Sequence, residues 1–456
     1  MDSRAVLVFG LSRSGKAAID LLLKKGFQVW YWDDNEETRN SFTPPTGCQL
    51  LAEGPAAAKN KDISLAVMSP GIPPSNDGVK ALADSDIETI SEIELAWRFC
   101  GAPCVVVTGT NGKSSTATLL NELFAAADKR SILCGNIGVP FSQVVAQTTA
   151  APDWYVVEAS SYQLALSPTL LPKVMVYTNY APDHLSWHGS EAAYVQAKAE
   201  IAHRLPAEHF VVYPINAGPL TEAVKASKAK ELTLGPLRSG ATVSLDTRTG
   251  RLSADTLSGD LDSLTRDLPY QWRLVSCALH ATLGVAQALN FELDTVISAL
   301  DTFKPLEHRL EEAGKVGHVR FINDSKATNI DATQYALRMC QGPLVLILGG
   351  RHKGTSYAEL LPSFGMKVKA VIALGEARQI VADDLKGKVP LRQAESFSEA
   401  LELALMEASR ITMPSGGSEP TVLFSPACSS FDMFKNFEER GRAFKEWVVE
   451  RREEQL

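Results

Sequence analysis

Short apolar runs, each closed by a turn and followed by a stretch of helical period, recur along the chain. Ala5–Phe9, Gln28–Trp32 and Leu65–Met68 are such runs, with a helix reaching residue 25 after the first and another over 91–99. Apolar strands alternating with helices read as βαβ winding around a parallel sheet. The connection Cys100-Gly101-Ala102-Pro103 ends this unit, and the alternation resumes through Val105-Val106-Val107, Trp154–Glu158, 174–179 and 210–213. A second α/β unit therefore starts near residue 102. Residues 236–272, with Gly240, Thr242, Asp246, Thr247 and Gly250, read as short strands and turns of a small extra sheet before a helix over 275–289. The pattern breaks again at Thr302-Phe303-Lys304-Pro305, after which Val319–Asn323, 344–348, 370–374 and 421–425 are the strands of a third α/β unit. The expected division is 1–100, 101–304 and 305–456.

The length of 456 residues agrees with three units at a prior of about 150 residues each. A composition of 45% hydrophobic and 21% charged residues is that of a globular protein, and a formal charge of −8 argues against nucleic acid or an anionic membrane surface as partner. The ligand is expected to be small. Seven cysteines, none in a Cys-x-x-Cys pair, speak for reduced thiols rather than a disulfide framework. No apolar run approaches a membrane span and the first residues lack a signal-peptide pattern, so a cytoplasmic chain is expected.

The most specific chemistry lies at Thr108-Gly109-Thr110-Asn111-Gly112-Lys113-Ser114-Ser115, where a β-branched strand breaks into a glycine turn that opens a helix. Such a turn lets backbone N–H groups surround phosphate oxygens, with Lys113 as a mobile positive charge and the Ser114 hydroxyl available to magnesium. It reads as a nucleoside triphosphate cradle, although Gly-x-x-Gly-Lys-Ser is shorter than the common spacing. The bland alternative is a strand-to-helix turn with an exposed lysine. Gly10-Leu11-Ser12-Arg13-Ser14-Gly15 resembles a dinucleotide fingerprint with Ser12 in place of the middle glycine and Asp33 as acidic partner. That substitution suits a diphosphate other than NAD, or a purely structural turn. Gly71, in Ser69-Pro70-Gly71-Ile72-Pro73, follows the run Leu65–Met68 and could line the same crevice; the alternative is a turn of a kind common without any ligand.

Glu158 ends a strand where α/β sheets collect ligands and could hold magnesium; the alternative is a surface glutamate capping the next helix. Asp183 and His184 end another strand, whereas Lys198, inside a helix, reads by itself as a solvated lysine. Leu306-Glu307-His308-Arg309, Asn323-Asp324-Ser325-Lys326-Ala327-Thr328-Asn329, Gly349-Gly350-Arg351-His352-Lys353 and Ser425-Pro426-Ala427-Cys428-Ser429-Ser430 are polar segments at the third unit's strand ends or its junction. Each could separately be a capped helix start, and together they suggest one binding rim. Cys428 has no histidine beside it in sequence and reads as structural.

Taken together, 108–114, Gly135-Asn136-Ile137-Gly138, 158–164, Asp183-His184, His308-Arg309, 323–329 and 425–441 resemble the Mur ligases in order and spacing across nearly the whole chain. The segment running into Lys435-Asn436-Phe437-Glu438-Glu439-Arg440-Gly441 is similar to the branch that adds D-glutamate. The resemblance implies a Rossmann-like N-terminal domain for a UDP-sugar, a central P-loop-type ATPase with a mainly parallel sheet, and a Rossmann-like C-terminal domain for the amino acid. It implies a monomeric, cytoplasmic, ATP-dependent carboxylate–amine ligase with UDP-N-acetylmuramoyl-L-alanine, D-glutamate and ATP as partners. ATP would phosphorylate the sugar's free alanyl carboxylate, and the D-glutamate amine would displace phosphate from the acyl phosphate.

Carried over by position, Gly109, Thr110, Asn111, Gly112, Lys113, Ser114, Ser115, His308, Arg309, Asp324 and Lys326 would bind ATP. Ser12, Arg13, Ser14, Asp33, Gly71 and Asn136 would bind the UDP-sugar, and Thr328, Lys353, Ser430 and Phe437 the D-glutamate. Lys113, His184 and Lys198 would be catalytic; Ser114, Glu158, His184 and Lys198, the last as a carbamate made with carbon dioxide, would hold two Mg2+ ions. Three stretches depart from the family pattern: Ser276-Cys277-Ala278-Leu279-His280 replaces His-Asn-x-x-Asn, Asp34-Asn35 replaces Thr-Arg, and His352 stands where an acidic or small residue is usual. Rival readings are another ligase of the superfamily, such as a folylpolyglutamate synthase or the L-alanine-adding enzyme, and a non-catalytic nucleotide-binding relative.

Overall fold

The computed structural model describes residues 5–246, 252–254, 257, 276–412 and 418–453. Three sheets follow one another along the chain. The first contains Ala5–Phe9 (β1), Gln28–Trp32 (β2), Cys48–Leu50 (β3), Leu65–Met68 (β4) and Glu88–Ser91 (β5) in the order β3-β2-β1-β4-β5. All its pairings are parallel, with Val8 beside Tyr31 on one side and Val67 on the other. β1 and β4 are buried throughout, which is why they read as unbroken apolar runs.

The central sheet contains Cys104–Thr108 (β6), Ser131–Gly135 (β7), Trp154–Glu158 (β8), Val174–Tyr177 (β9), Phe210–Pro214 (β10), Lys230–Gly235 (β11), Val243–Leu245 (β12) and Leu252–Ala254 (β13). Its order is β13-β12-β11-β10-β9-β6-β8-β7, parallel except where β13 runs against β12. The described short strands of 236–272 therefore continue the edge of the central sheet. Thr247, Gly250 and 258–272 lie outside the described residues.

The third sheet contains Glu311–Val316 (β14), Val319–Asn323 (β15), Leu344–Gly349 (β16), Val368–Leu374 (β17), Leu391–Gln393 (β18) and Thr421–Phe424 (β19), in the order β14-β15-β19-β16-β17-β18. Only β14 is antiparallel to its neighbour.

The described residues up to Phe303 pack as one compact unit and those from Lys304 as another. Within the first unit, Val8 and Val67 share a hydrophobic core with Val106, Val157 and Met175, so the change of sheet near residue 100 is not a break in packing. In each sheet the strand order reverses beside an early strand, β1, β6 or β16, and ligands of open α/β sheets collect at the carboxyl ends of strands at such points. Among the described residues no helix is long and apolar enough to cross a membrane.

Candidate active site

β6 is fully buried and delivers the chain into Gly109, whose φ of +145° lies in the region that favours glycine. A Cβ there would stand 1.9 Å from Thr178 Oγ1. Thr178 and Asn179, just beyond β9, hold the turn: Thr178 Oγ1 donates to Asn111 O at 2.6 Å, Asn179 Nδ2 donates to the same carbonyl at 2.9 Å, and Asn111 N donates to Asn179 Oδ1 at 2.9 Å. Thr110 Oγ1 donates to Ala181 O at 2.9 Å. Gly112 precedes the helix Lys113–Ala126, whose Ser114, Ser115 and Thr116 are buried. Lys113 Nζ lies against its own loop, 2.9 Å from Gly109 O and 2.8 Å from Thr110 O. The loop is thus held in shape by the residues that follow β9. Cys277, in one of the departing stretches, donates to Thr178 O at 3.1 Å, and burial lowers the His280 pKa to about 4.

Glu158 ends β8 opposite Val107, one residue before β6 ends. Only 2% exposed, it accepts Asn136 Nδ2 on Oε1 at 2.8 Å, while Oε2 is buried without a hydrogen-bond partner. The next helix is capped instead by Ser160 in a reciprocal pair with Gln163, which disposes of the capping reading for Glu158. That helix, Ser161–Ala165, carries Tyr162 against His184, with ring centroids 4.8 Å apart. His184 is itself left-handed, with φ +57°, and its backbone N–H donates to Asp183 Oδ1 at 2.9 Å.

Lys198, in the helix Glu191–Arg204, is not solvated: it is 1% exposed, with Nζ 3.1 Å from Gly109 O and 4.8 Å from the Tyr194 ring centroid. Burial, and then the Lys113 charge, hold its pKa well below that of an ordinary lysine, against a weaker opposing pull from Asp183. Lys113 and Lys198 therefore converge on one carbonyl, that of Gly109. Among the described residues no three His, Cys, Asp or Glu side chains form a ready metal cage. The orphaned Glu158 oxygen and the buried Ser114 hydroxyl are hard oxygen donors, and such a pair fits Mg2+, which usually takes one or two protein ligands and completes its shell with phosphate and water.

At the end of β1, Ser12 Oγ stands 3.1 Å from Ser69 Oγ and 3.3 Å from Ser14 Oγ. Asp33 accepts Leu11 N at 2.7 Å and Asn35 N at 2.9 Å, so its carboxylate orders the backbone on both sides of it. Arg13 donates to Gly138 O and thereby ties this turn to the loop that carries Asn136. A Cβ at Gly71 would meet nothing, so packing does not explain that glycine.

In the second unit, Asp324 is buried, accepting Ser425 Oγ at 2.7 Å and Leu310 N at 3.2 Å, and burial raises its pKa to about 7. His308 is enclosed: its ring lies 3.0 Å from Asn323 Nδ2, and burial lowers its pKa. Its carbonyl accepts Lys326 N at 3.1 Å, and the Lys326 ammonium lies 4.7 Å from the Phe437 ring centroid. Arg309 and Thr328 are partly exposed, Lys353 is exposed and Ser430 is buried.

Arg440 appears in the sequence motif without a role, yet it joins two of the polar loops: Nε donates to Ser325 Oγ at 3.0 Å and Nη2 to Cys428 O at 3.1 Å. Burial lowers its pKa to about 10. Tyr357 stands 2.6 Å from Cys428 Sγ, and burial raises that thiol to about 11, consistent with a structural cysteine. Thr178, Asn179, Tyr162, Tyr194 and Arg440 are the site residues that motif reading left unassigned.

The Mur ligase middle domain matches residues 107–258, and the Mur ligase glutamate ligase domain matches 308–428. A UDP-N-acetylmuramoylalanine–D-glutamate ligase of Salinibacter ruber is 36% identical over 98% of this chain and 97% of its own length. That of Pelotomaculum thermopropionicum is 35% identical over the same shares. Among solved structures, a UDP-N-acetylmuramate-alanine ligase of Thermotoga maritima superposes with a TM-score of 0.58 at 16% identity, covering 99% of this chain and 100% of that one. A MurF ligase of the same organism, in complex with ADP, reaches 0.60 at 15% identity over 100% and 97%. Fold, motif order and full-length identity agree: the chain belongs to the Mur ligase family.

Proposed function

We propose that this chain joins D-glutamate to UDP-N-acetylmuramoyl-L-alanine, coupled to cleavage of ATP to ADP and phosphate, as a cytoplasmic step of peptidoglycan precursor synthesis. The observation that carries the chemistry is the convergence of Lys113 and Lys198 on the Gly109 carbonyl, beside a strand end bearing the buried Glu158. The choice of substrates rests on the relatives' names over nearly the full chain.

In this reading Gly109 to Ser115 wrap the phosphates and Lys113 turns from its loop carbonyls to the transferred phosphoryl group. Bound Mg2+ would neutralise phosphate charge, held by Ser114 and Glu158 and, at a second site, by His184 and Lys198. The depressed pKa of Lys198 supports its carbamylation, because the neutral amine is the form that adds carbon dioxide. His308, Arg309, Asp324 and Lys326 serve the nucleotide, and Thr328, Lys353, Ser430 and Phe437 the D-glutamate. Ser12, Arg13, Ser14, Asp33, Gly71 and Asn136 form the UDP-sugar side, with Arg13 acting through Gly138. The domain roles follow the division 1–100, 101–304 and 305–456. A carboxylate is a poor electrophile at neutral pH, and its phosphorylation creates the leaving group that the incoming amine displaces.

The test is phosphate release from ATP and Mg2+ with UDP-N-acetylmuramoyl-L-alanine, offering D-glutamate, L-glutamate or no amino acid. Turnover with D-glutamate alone is expected. Equal turnover with L-glutamate, or none with either, would overturn the substrate assignment.

A further inference from the structure

Cys100, in the connector between the first sheet and β6, and Cys104, the first residue of β6, are thiols four residues apart, and the ligase reading uses neither. Cys100 is partly exposed and Cys104 fully buried, yet their sulfurs share a neighbour: Cys100 Sγ, 3.3 Å from Trp97 O, lies 3.7 Å from Ala102 O, and Cys104 Sγ lies 3.8 Å from the same carbonyl. A disulfide needs Cβ atoms about 4 Å apart, and a turn that keeps both sulfurs beside its central carbonyl holds the two thiols in one neighbourhood from which that bond can close.

We propose that Cys100 and Cys104 form a dithiol that a hydroperoxide oxidises to a disulfide, making the connector a site of reversible covalent modification. The asymmetry of the pair assigns the order of events. The Cys104 side chain lowers the Cys100 pKa, and the partial exposure of Cys100 admits the oxidant, whereas the same interaction and burial raise Cys104. The Cys100 thiolate attacks the peroxide, the O–O bond breaks, and a sulfenic acid forms as hydroxide leaves. Cys104 then attacks the Cys100 sulfur; the S–S bond forms, the S–O bond breaks, and the departing hydroxide takes the Cys104 proton as water. Counting the proton lost from Cys100, two thiols and one hydrogen peroxide give one disulfide and two waters, the sulfurs yielding two electrons to the peroxide. Cys134, on β7, is the one competitor within electrostatic reach of Cys100 and Cys104, and it is fully buried with its pKa pushed well up. Cys104 is just as buried, and it is the partner because its sulfur and that of Cys100 share the Ala102 carbonyl.

Trypsin cleavage after Arg98 and Lys113 releases residues 99–113, a peptide holding both cysteines and no other. The full-length protein would be treated with hydrogen peroxide, unfolded, alkylated with N-ethylmaleimide, digested and weighed. The expected product is the 99–113 peptide lighter by two hydrogens and free of alkyl groups, regaining two alkyl groups when a thiol reductant precedes alkylation. Three results would overturn the proposal: a peptide alkylated at both cysteines, a peptide ending as the Cys100 sulfinic acid, or a cross-link to residues 131–173, which carry Cys134. In Cys104→Ser the peptide is expected to over-oxidise at Cys100, and protection persisting in that variant would equally exclude Cys104 as the resolving thiol.

Discussion

Asn136 Nδ2 donates to Glu158 Oε1 at 2.8 Å and so fixes a buried carboxylate whose second oxygen has no hydrogen-bond partner. An unsatisfied buried anion is destabilising unless a cation completes it, and the amide sets which oxygen remains for that cation. Removing the amide leaves the carboxyl group in place but releases its orientation. Asn136→Ala is therefore expected to raise the Mg2+ concentration for half-maximal phosphate release by roughly ten- to a hundredfold. A Mg2+ titration at saturating UDP-sugar checks this. An unchanged midpoint would mean that Asn136 serves only the sugar.

Gly109→Ala makes a sharper steric demand. Thr178 Oγ1 would sit 1.9 Å from the new methyl group, and that hydroxyl is also the donor that holds Asn111 O. Steric pressure and an unfavourable φ of +145° act together, so the loop must move, at a local strain on the order of 1–3 kcal/mol. Nucleotide binding measured by calorimetry is expected to weaken at least tenfold while β6 and its neighbours remain folded. Near-parental affinity would show that the loop tolerates displacement.

The strands were legible wherever both faces are buried. Ala5–Phe9 and Leu65–Met68 begin and end where the apolar runs do. β14, Glu311–Val316, carries no such signal because Glu-Glu-Ala-Gly-Lys-Val lies at a sheet edge, half open to solvent. The glycine turn after β6 was legible from its glycines and lysine, but the residues that shape it, Thr178 and Asn179, follow another strand, and single-segment patterns hold no information about that approach. Lys198 shows the same limit. Its helix has little amphipathic contrast, so helical period gives a solvated lysine, and only motif order placed it at the site where the structure buries it.

Glu92 offers a pH test away from the proposed chemistry. It is buried, accepts Ser142 N on Oε1, leaves Oε2 unpartnered, and burial raises its pKa to about 7 despite that bond. The folded chain thus keeps the proton to higher pH than the unfolded chain does. Its stabilising contribution is full below about pH 4.5 and is lost as pH rises through about 7, a span worth about 3 kcal/mol. Glu92→Gln, which cannot ionise, is expected to match the parent in thermal melts at pH 5 and to exceed it at pH 8. Equal offsets at both pH values would place the effect in packing rather than ionisation.

Lys198 gives the opposite sign. Burial and Lys113 depress its pKa, so between the folded and the unfolded values the unfolded chain binds the extra proton and stability rises with pH. In buffer freed of carbon dioxide, Lys198→Met keeps the length of the side chain and removes the amine, so the variant is expected to melt higher than the parent near pH 7. That advantage should shrink as pH approaches the ordinary lysine value. If Lys198 is a carbamate that holds the metal, ligase turnover should be lost at every pH, because no neutral side chain replaces an anionic ligand. Adding carbon-13-labelled bicarbonate to the parent should produce a carbamate resonance that the Met variant lacks and should narrow the gap in melting temperature, since carbon dioxide then binds the folded state alone. A stable variant with no pH-dependent advantage, together with no carbamate signal in the parent, would leave Lys198 a charged packing residue and remove it from the metal site.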